Sequence, residues 1–109
     1  MYCLKKEKLE GHDVFEFMRG HLKEEHWLES SIYMTEEIFQ AANLEEILTT
    51  TIGNFNYYGP TEITEQDWNR IRKAADVSNS EIAKIVISEI DDWSKDCFQT
   101  ETCFTICGI

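Results

Sequence analysis

The sequence predicts an α+β fold in which helices dominate and a small sheet includes a C-terminal strand. Three observations lead to this class. Thr35 and Thr64 mark helix starts, because each is followed by acidic residues that the first turn of a helix favours. An apolar stripe at helical spacing covers 82–93, and residues 102–107 alternate and favour β-structure.

The chain of 109 residues is expected to form a single globular domain, 1–109. A domain of this length buries roughly 60–70% of the surface that its unfolded chain exposes, so it can fold without disulfides. The hydrophobic fraction is 42%, which is ordinary for a globular protein and argues against disorder despite the high charge.

The first third of the chain gives mixed signals. Residues 2–9 suit an edge strand or an extended lead, and Asp13 resembles the N-cap of a helix. The apolar residues that follow at helical spacing are Val14, Phe17, Met18 and Leu22. We therefore expect a helix after Asp13, with 27–34 as a short strand or a connector.

The middle of the chain predicts two short helices and a third, better marked one. Helices are expected over 35–42 and 44–51, because Asn43 favours a break between them. Residues 53–59 form an aromatic loop that ends in a Gly-Pro turn signal. Thr64 then caps a helix that places Trp68, Ile71 and Ala75 on one face.

The last third predicts a long buried helix and a closing strand. Ser78 and Glu81 have the spacing of a capping box. The apolar stripe that follows consists of Ile82, Ile85, Val86, Ile90 and Trp93. The tail over 102–107 is expected to be a strand that ends the domain.

Charge is the most informative functional signal. Between Glu24 and Asp67 there are ten acidic residues and no lysine or arginine: Glu24, Glu25, Glu29, Glu36, Glu37, Glu45, Glu46, Glu62, Glu65 and Asp67. Charges that find no local partner produce a field of one sign, which steers a partner of opposite sign. The sequence therefore predicts binding to a basic protein.

The same charge excludes other partners. The net charge of −11 repels nucleic-acid phosphates and anionic membrane surfaces, so neither direct nucleic-acid binding nor membrane association is expected. The N-terminus lacks the apolar core of a signal peptide, and no stretch approaches the roughly 20 apolar residues of a membrane span. A cytoplasmic location is expected.

The predicted partner-binding residues combine acids with two tyrosines from the aromatic loop. Tyrosine suits an interface because it supplies large, rigid and amphipathic contact area. The predicted set is Glu36, Glu37, Glu45, Glu46, Tyr57, Tyr58, Glu62, Glu65 and Asp67. Two simpler explanations stay open: the acids cap helices or cover a solvated face, and the aromatic loop packs inward.

No catalytic residues, metal site or cofactor are predicted. His12, His21 and His26 have no recognised ligand spacing. Cys103 and Cys107 share a strand face but lie roughly 13 Å apart, too far to chelate one ion together. The four cysteines are expected to be reduced thiols, largely buried in apolar surroundings.

Two segments resemble a known family. Residues 57–68, Tyr-Tyr-Gly-Pro-Thr-Glu-Ile-Thr-Glu-Gln-Asp-Trp, are similar to a segment of small acidic immunity proteins from bacterial polymorphic-toxin systems, including contact-dependent growth inhibition. The ending, Asp92-Trp93 followed by 103–109, is similar to the way such chains close. The resemblance implies a cytosolic antidote that binds a toxin domain, often a basic nuclease, and blocks its active site or substrate groove. It assigns no roles to individual residues.

Two other functions stay open at this point. An acidic adaptor or regulatory module would dock on a cellular protein without any toxin, and it would use the same charged face. A small cysteine-dependent enzyme would need a thiol activated by a base, with a depressed pKa. The sequence contains no Gly-rich phosphate loop and no known hydrolase motif, so it favours the binding function.

Overall fold

A four-stranded antiparallel sheet lies at the centre of the computed structural model, which describes residues 2–11 and 13–109. Met1 and His12 lie outside the described residues, so the expectations that involve them are not addressed. The elements in chain order are a short 3-10 helix (Lys6–Lys8), β1 (Val14–Arg19), β2 (Ile32–Thr35), α1 (Glu36–Ala41), α2 (Leu44–Ile52), β3 (Pro60–Thr64), α3 (Glu65–Asp76), α4 (Glu81–Thr100) and β4 (Cys103–Cys107). The predicted α+β class is confirmed.

The C-terminal strand occupies the interior of the sheet. The strand order is β2-β1-β4-β3, so β4 pairs with β1 on one side and with β3 on the other. All five residues of β4 are buried. The predicted strand at the end of the chain is therefore confirmed, and it joins the first and last thirds of the molecule.

One face of the sheet packs against the helices. Phe104 of β4 lies at the centre of this core, where its ring contacts three aromatic side chains of the helices edge-on or at a tilt. The ring-centroid distances are 5.5 Å to Trp68 of α3, and 5.4 Å to Trp93 and 5.8 Å to Phe98 of α4. Burial of these large apolar side chains is the main favourable contribution to folding.

The opposite face is covered by a segment without regular structure. We call residues 20–31, which connect β1 to β2, the covering loop. Beneath it lie buried residues of the strands, which alternate with the residues that face the helices. They are Glu16, Met18, Tyr33, Thr105 and Cys107. The sheet is therefore buried on both faces along β1 and β4, whereas the residues of β3 that face the same side, such as Glu62, are exposed.

The covering loop is attached to the sheet through the carboxylate of Glu16. This side chain is only 4% exposed, although it belongs to the middle of β1. It accepts hydrogen bonds from the backbone N–H of Trp27 at 2.9 Å and of Leu28 at 3.1 Å. The hydroxyl of Ser31 donates a third bond at 2.7 Å, whereas the hydroxyl of Tyr33 lies 3.5 Å from the carboxylate and donates its proton to the carbonyl of Leu28 at 2.6 Å. These donors offset the loss of hydration that a buried carboxylate suffers.

The helix predicted after Asp13 is wrong, because residues 14–19 form β1. Val14, Phe17 and Met18, three of the four apolar residues at helical spacing, belong to a run from Val14 to Met18 in which every residue is buried. The fourth, Leu22, is exposed in the covering loop. A strand covered on both faces has no polar side to produce alternation, and periodicity alone does not separate such a run from a buried helix. Gly20, with a φ of +73°, follows the strand and starts the covering loop.

The middle helices agree with the prediction. The Thr35 side chain caps α1, and Asn43 separates α1 from α2 in a left-handed conformation with a φ of +56°. Thr64 and Asp67 form a reciprocal capping box at the start of α3. Trp68 of α3 is buried together with Ile71 and Ala75, as the spacing predicted.

Four details differ from the prediction or resolve it. Pro60–Thr64 was expected only as the lead into a helix, but it pairs with β4 as strand β3. Ser80 caps α4 in place of Ser78, whose hydroxyl donates to the carbonyl of Ala75 at 2.8 Å. Ile85, assigned to the buried stripe, is 42% exposed. Leu4 in the N-terminal segment forms a two-bond antiparallel bridge with Tyr33.

The burial of Cys107 makes stability depend on pH. Burial, with the nearby Glu16 carboxylate as the second cause, raises the pKa of the Cys107 thiol from 9.0 to about 11. The unfolded chain therefore loses this proton at a lower pH than the folded protein does, and the contribution to stability disappears as the pH rises through that window. We expect this thiol to lower the free energy of unfolding by about 2 kcal/mol between about pH 8 and about pH 10.5.

Urea unfolding at the two pH values, in the presence of a reductant, checks this expectation. The Cys107→Ser variant has no thiol to titrate at this position, so its stability should fall less over the same interval. An identical fall in both proteins would contradict the assignment to Cys107.

Candidate protein-binding surface

Most of the acidic residues between Glu24 and Asp67 lie at helix starts or in the covering loop. Adjacent pairs occupy the first turns of α1 and α2, where the positive end of the helix dipole favours negative charge. The acids of the covering loop are Glu24, Glu25 and Glu29, and all three are exposed. The fold therefore displays most of these side chains to solvent.

None of these ten acids forms an ion pair with lysine or arginine in the described part of the chain. The basic side chains that do form pairs contact acids elsewhere: Arg19 contacts Asp96 at 2.7 Å, and Arg72 contacts Asp91 at 3.3 Å. Glu62 has a partner, but this partner is His21 rather than a permanently charged residue. Among the described residues, the carboxylates of this segment therefore keep their negative charge without a lysine or arginine counter-ion.

Tyr57 connects the aromatic loop to the start of α1. Its hydroxyl donates to the carboxylate of Glu36 at 2.6 Å and accepts a bond from the side-chain amide of Gln40 at 3.1 Å. Its ring meets Phe15 and Phe39 edge-on. Burial, and secondly the bond to Glu36, raise the pKa of the Tyr57 hydroxyl. Tyr57 is therefore half-buried and mainly structural, so the inward-packing explanation holds for this residue.

Tyr58 has the opposite character. Its side chain is 77% exposed, and its ring contacts Tyr57 edge-on with centroids 5.0 Å apart. The backbone N–H of Tyr58 donates to the side-chain oxygen of Asn56 at 3.0 Å, which fixes the turn. Tyr58 is thus an exposed aromatic side chain on an ordered loop, the arrangement expected of an interface anchor.

The C-terminal residues hold the aromatic loop in place. Gly108 donates its N–H to the carbonyl of Gly59 at 2.9 Å, and Ile109 donates to the carbonyl of Tyr57 at 3.0 Å. The two backbones approach so closely that a Cβ on Gly108 would lie 2.2 Å from the Tyr57 carbonyl oxygen. Position 108 therefore requires glycine on steric grounds.

The acids predicted as an interface differ in role. Glu37, Glu45 and Glu65 are exposed, and no hydrogen bond ties their side chains to the described part of the chain. Glu46 accepts a bond from the side chain of Asn43 at 2.7 Å, and Asp67 belongs to the capping box of α3. The capping explanation therefore holds for Asp67, whereas the first three are free to contact a partner.

The structure brings part of the predicted set together. Tyr57 hydrogen-bonds to Glu36, and its ring contacts that of Tyr58. Glu45 lies near enough for its charge to contribute to the raised pKa of Tyr57. Glu62 is separate from them, because it lies on the sheet face opposite the helices, where it pairs with Thr105 across the strands.

The covering loop contributes to the surface around Tyr58, and this contribution was not predicted from the sequence. A cleft of about 240 Å³ next to Tyr58 is lined by Leu22 and His26 of this loop. Leu22 is 47% exposed, so it adds apolar area beside the tyrosine ring. The only sequence signal for this surface was the cluster of acids around these two residues. The loop itself was not predicted, because the residues after Asp13, including Leu22, were assigned to a helix.

A second group of side chains that the sequence did not predict lies at the edge of the covering loop. The ligand atoms of His21, Glu62 and Cys103 all lie within 4.8 Å of one another. Burial, and secondly the charge of Glu62, raise the pKa of the Cys103 thiol. These residues are far apart in the sequence and adjacent only in the fold.

Comparison with known proteins gives no match to this chain, either among protein-family models, among curated proteins or among solved structures. No helix in the described ranges has the length and apolar character needed to cross a membrane.

The close approach at Gly108 predicts how the aromatic loop can be disturbed. In Gly108→Ala the added methyl group meets the backbone of the loop, which has to move, and we expect a loss of about 1–3 kcal/mol in the free energy of unfolding. Gly11→Ala is the matched control, because within the described residues no atom beyond its chain neighbours lies within 4 Å of the position of its new methyl group. Denaturant unfolding of both variants checks this. Equal stability of the two would contradict the steric requirement at position 108.

Proposed function

We propose that this protein binds a basic protein through the exposed acids between Glu24 and Asp67 and through Tyr58. The observation that carries the proposal is the absence of any lysine or arginine partner for these ten acids in the described ranges. Uncompensated charge of one sign accelerates association with an oppositely charged partner and disfavours partners of like charge.

The partner that we propose is a basic toxin domain, and the protein would act as its cytoplasmic immunity protein. The resemblance of residues 57–68 to acidic immunity proteins supports this class of partner. A nuclease groove is lined with basic side chains that bind the phosphates of the substrate. Exposed carboxylates such as Glu37 and Glu45 carry the same negative charge as those phosphates. The proposed mechanism is stoichiometric occlusion of the active site or the substrate groove.

Tyr58 has a distinct part in this proposal. Charge alone gives fast association and discrimination, but tight complexes depend on a few well-packed anchors. Tyr58 is exposed, held by an ordered turn and placed beside a cleft with Leu22. We propose that its ring packs against the partner while the surrounding acids orient the approach.

The alternatives receive unequal support. An acidic adaptor would use the same surface, so the gene neighbourhood discriminates the two functions: an antidote is expected directly downstream of a gene for a large secreted protein. A cysteine-dependent enzyme needs a thiol of depressed pKa. Burial instead raises the pKa of all four thiols, and that of Cys3 reaches about 12.

The first test is capture of the partner from the source cell with the tagged protein at low salt. We expect one dominant basic protein with a toxin-like domain in 1:1 ratio, whose activity the purified protein inhibits stoichiometrically. A series of unrelated basic proteins, all released at moderate salt, would contradict the proposal.

The second test locates the interface with the purified partner. The double variant Glu37→Lys with Glu45→Lys reverses two exposed acids that make no hydrogen bond within the described part of the chain, and we expect about tenfold slower association at low ionic strength. The matched control is Glu81→Lys with Asp92→Lys, which changes the net charge equally but lies on α4. Stopped-flow or surface-based kinetics gives the rates. An equal loss in both doubles, or none in the first, would reject this interface.

A further inference from the structure

Three segments that are distant in the sequence meet at one corner of the sheet. Cys103 is the first residue of β4, Glu62 lies in the middle of the neighbouring β3, and His21 follows β1 on the other side. The backbone N–H of Gly20 donates to the carbonyl of Cys103 at 3.0 Å, which holds the start of the covering loop against β4. The side chains of His21, Glu62 and Cys103 therefore converge.

We propose that His21, Glu62 and Cys103 form a binding site for a zinc ion. The ligand atoms would be the Nδ1 of His21, a carboxylate oxygen of Glu62 and the Sγ of Cys103, which all lie within 4.8 Å of one another. Thiolate, imidazole and carboxylate are the three side-chain ligand types that zinc uses in proteins. The thiolate also disfavours the hard cations Mg²⁺ and Ca²⁺, which prefer oxygen ligands.

Two of the three separations between the ligand atoms are close to those of a tetrahedral zinc ion, and the third, between the Cys103 sulfur and the Glu62 carboxylate, is at most 4.8 Å. The Sγ of Cys103 lies 3.7 Å from the Nδ1 of His21, and standard zinc bond lengths place two such tetrahedral ligands about 3.6 Å apart. The Nδ1 of His21 lies 2.6 Å from the Oε2 of Glu62, as a hydrogen bond. Zinc requires about 3.3 Å between nitrogen and oxygen ligands, so this pair has to separate by about 0.7 Å.

The site combines one fixed ligand with two adjustable ones. Cys103 is 2% exposed and belongs to a strand paired on both sides, so its sulfur position is set by the sheet. The side chains of His21 and Glu62 are 71% and 51% exposed, so they can make the required movement without repacking the core. Their exposure also leaves the fourth coordination position open to water.

Zinc binding at this site has a defined proton balance. The thiol of Cys103 loses its proton, which is released to solvent, and the sulfur binds as a thiolate. In the metal-free protein the Nδ1–H of His21 donates to the Glu62 carboxylate, so this proton has to leave Nδ1 when the ion binds. Exchange with solvent places one proton on the exposed Nε2, and the imidazole binds through Nδ1 as the Nε2–H tautomer. Glu62 binds as a carboxylate and exchanges its hydrogen bond to His21 for the ion.

The zinc site can be tested without the proposed toxin partner, although Glu62 belongs both to this site and to the ten acids of the protein-binding proposal. Its ligands all belong to this chain, and its test needs only the isolated protein. Failure of zinc binding would leave the protein-binding proposal intact, and failure of toxin binding would leave the zinc site intact.

The test is titration of the metal-free, reduced protein with Zn²⁺ alone, followed by calorimetry. We expect one ion per chain. Titration with Co²⁺ should then give the thiolate-to-cobalt charge-transfer absorption that reports a sulfur ligand. Absence of saturable binding at one ion per chain, or a cobalt spectrum without the sulfur band, would overturn the proposal.

Single substitutions assign the ligands. We expect Cys103→Ser, His21→Gln and Glu62→Gln each to weaken zinc binding at least about tenfold, because even residues behind the ligands commonly have effects of that size. The matched controls are Cys107→Ser on the same strand, His26→Gln in the same loop and Glu65→Gln, which should bind zinc as the unmodified protein does. His21 and Glu62 are exposed, so their variants are expected to fold, and they test the zinc site even if Cys103→Ser fails to fold. Binding that survives both exposed-ligand variants would overturn the site.

Discussion

The covering loop depends on one buried carboxylate, that of Glu16. A charged group with 4% exposure is strongly destabilising unless donors surround it, and three donors from the covering loop do so here. The same bonds hold Trp27 with a φ of +63°, a conformation that non-glycine residues seldom adopt. The bonds to this carboxylate therefore hold in place a loop that lacks the regular backbone hydrogen bonds of a helix or a sheet. They keep the loop packed over the second face of the sheet.

The functional features that we propose are linked to this closure. The covering loop carries three of the ten acids that have no lysine or arginine partner among the described residues. It also places Leu22 and His26 beside the exposed ring of Tyr58, and it brings His21 to Glu62 and Cys103. The ordered surface on the loop side of the molecule is therefore a consequence of the Glu16 bonds. The surface formed by α1 and α2 depends instead on helix capping and on the contact of Tyr57 with Glu36.

Local signals predicted the elements that local interactions determine. Thr64 caps α3 because its hydroxyl and the carboxylate of Asp67 are three residues apart, which is visible in the sequence. Strand β1 was not predictable in this way, since its residues are buried on both faces and their pattern also suits a helix. The exposure of Tyr58 and the burial of its neighbour Tyr57 were not separable from the sequence, because Phe15 and Glu36, which decide the difference, are distant in the chain. The cluster of His21, Glu62 and Cys103 exists only through the strand order.

The most direct test of the central structural claim is amide hydrogen exchange of the native protein, measured residue by residue by NMR. The Glu16 bonds predict that the backbone amides of Trp27 and Leu28 exchange nearly as slowly as those of β1. The amides of Glu24 and Glu25, which donate no hydrogen bond within the described part of the chain, serve as internal references and should exchange fast. If Trp27 and Leu28 exchange as fast as Glu24 and Glu25, the covering loop is not held by Glu16 and the account is contradicted.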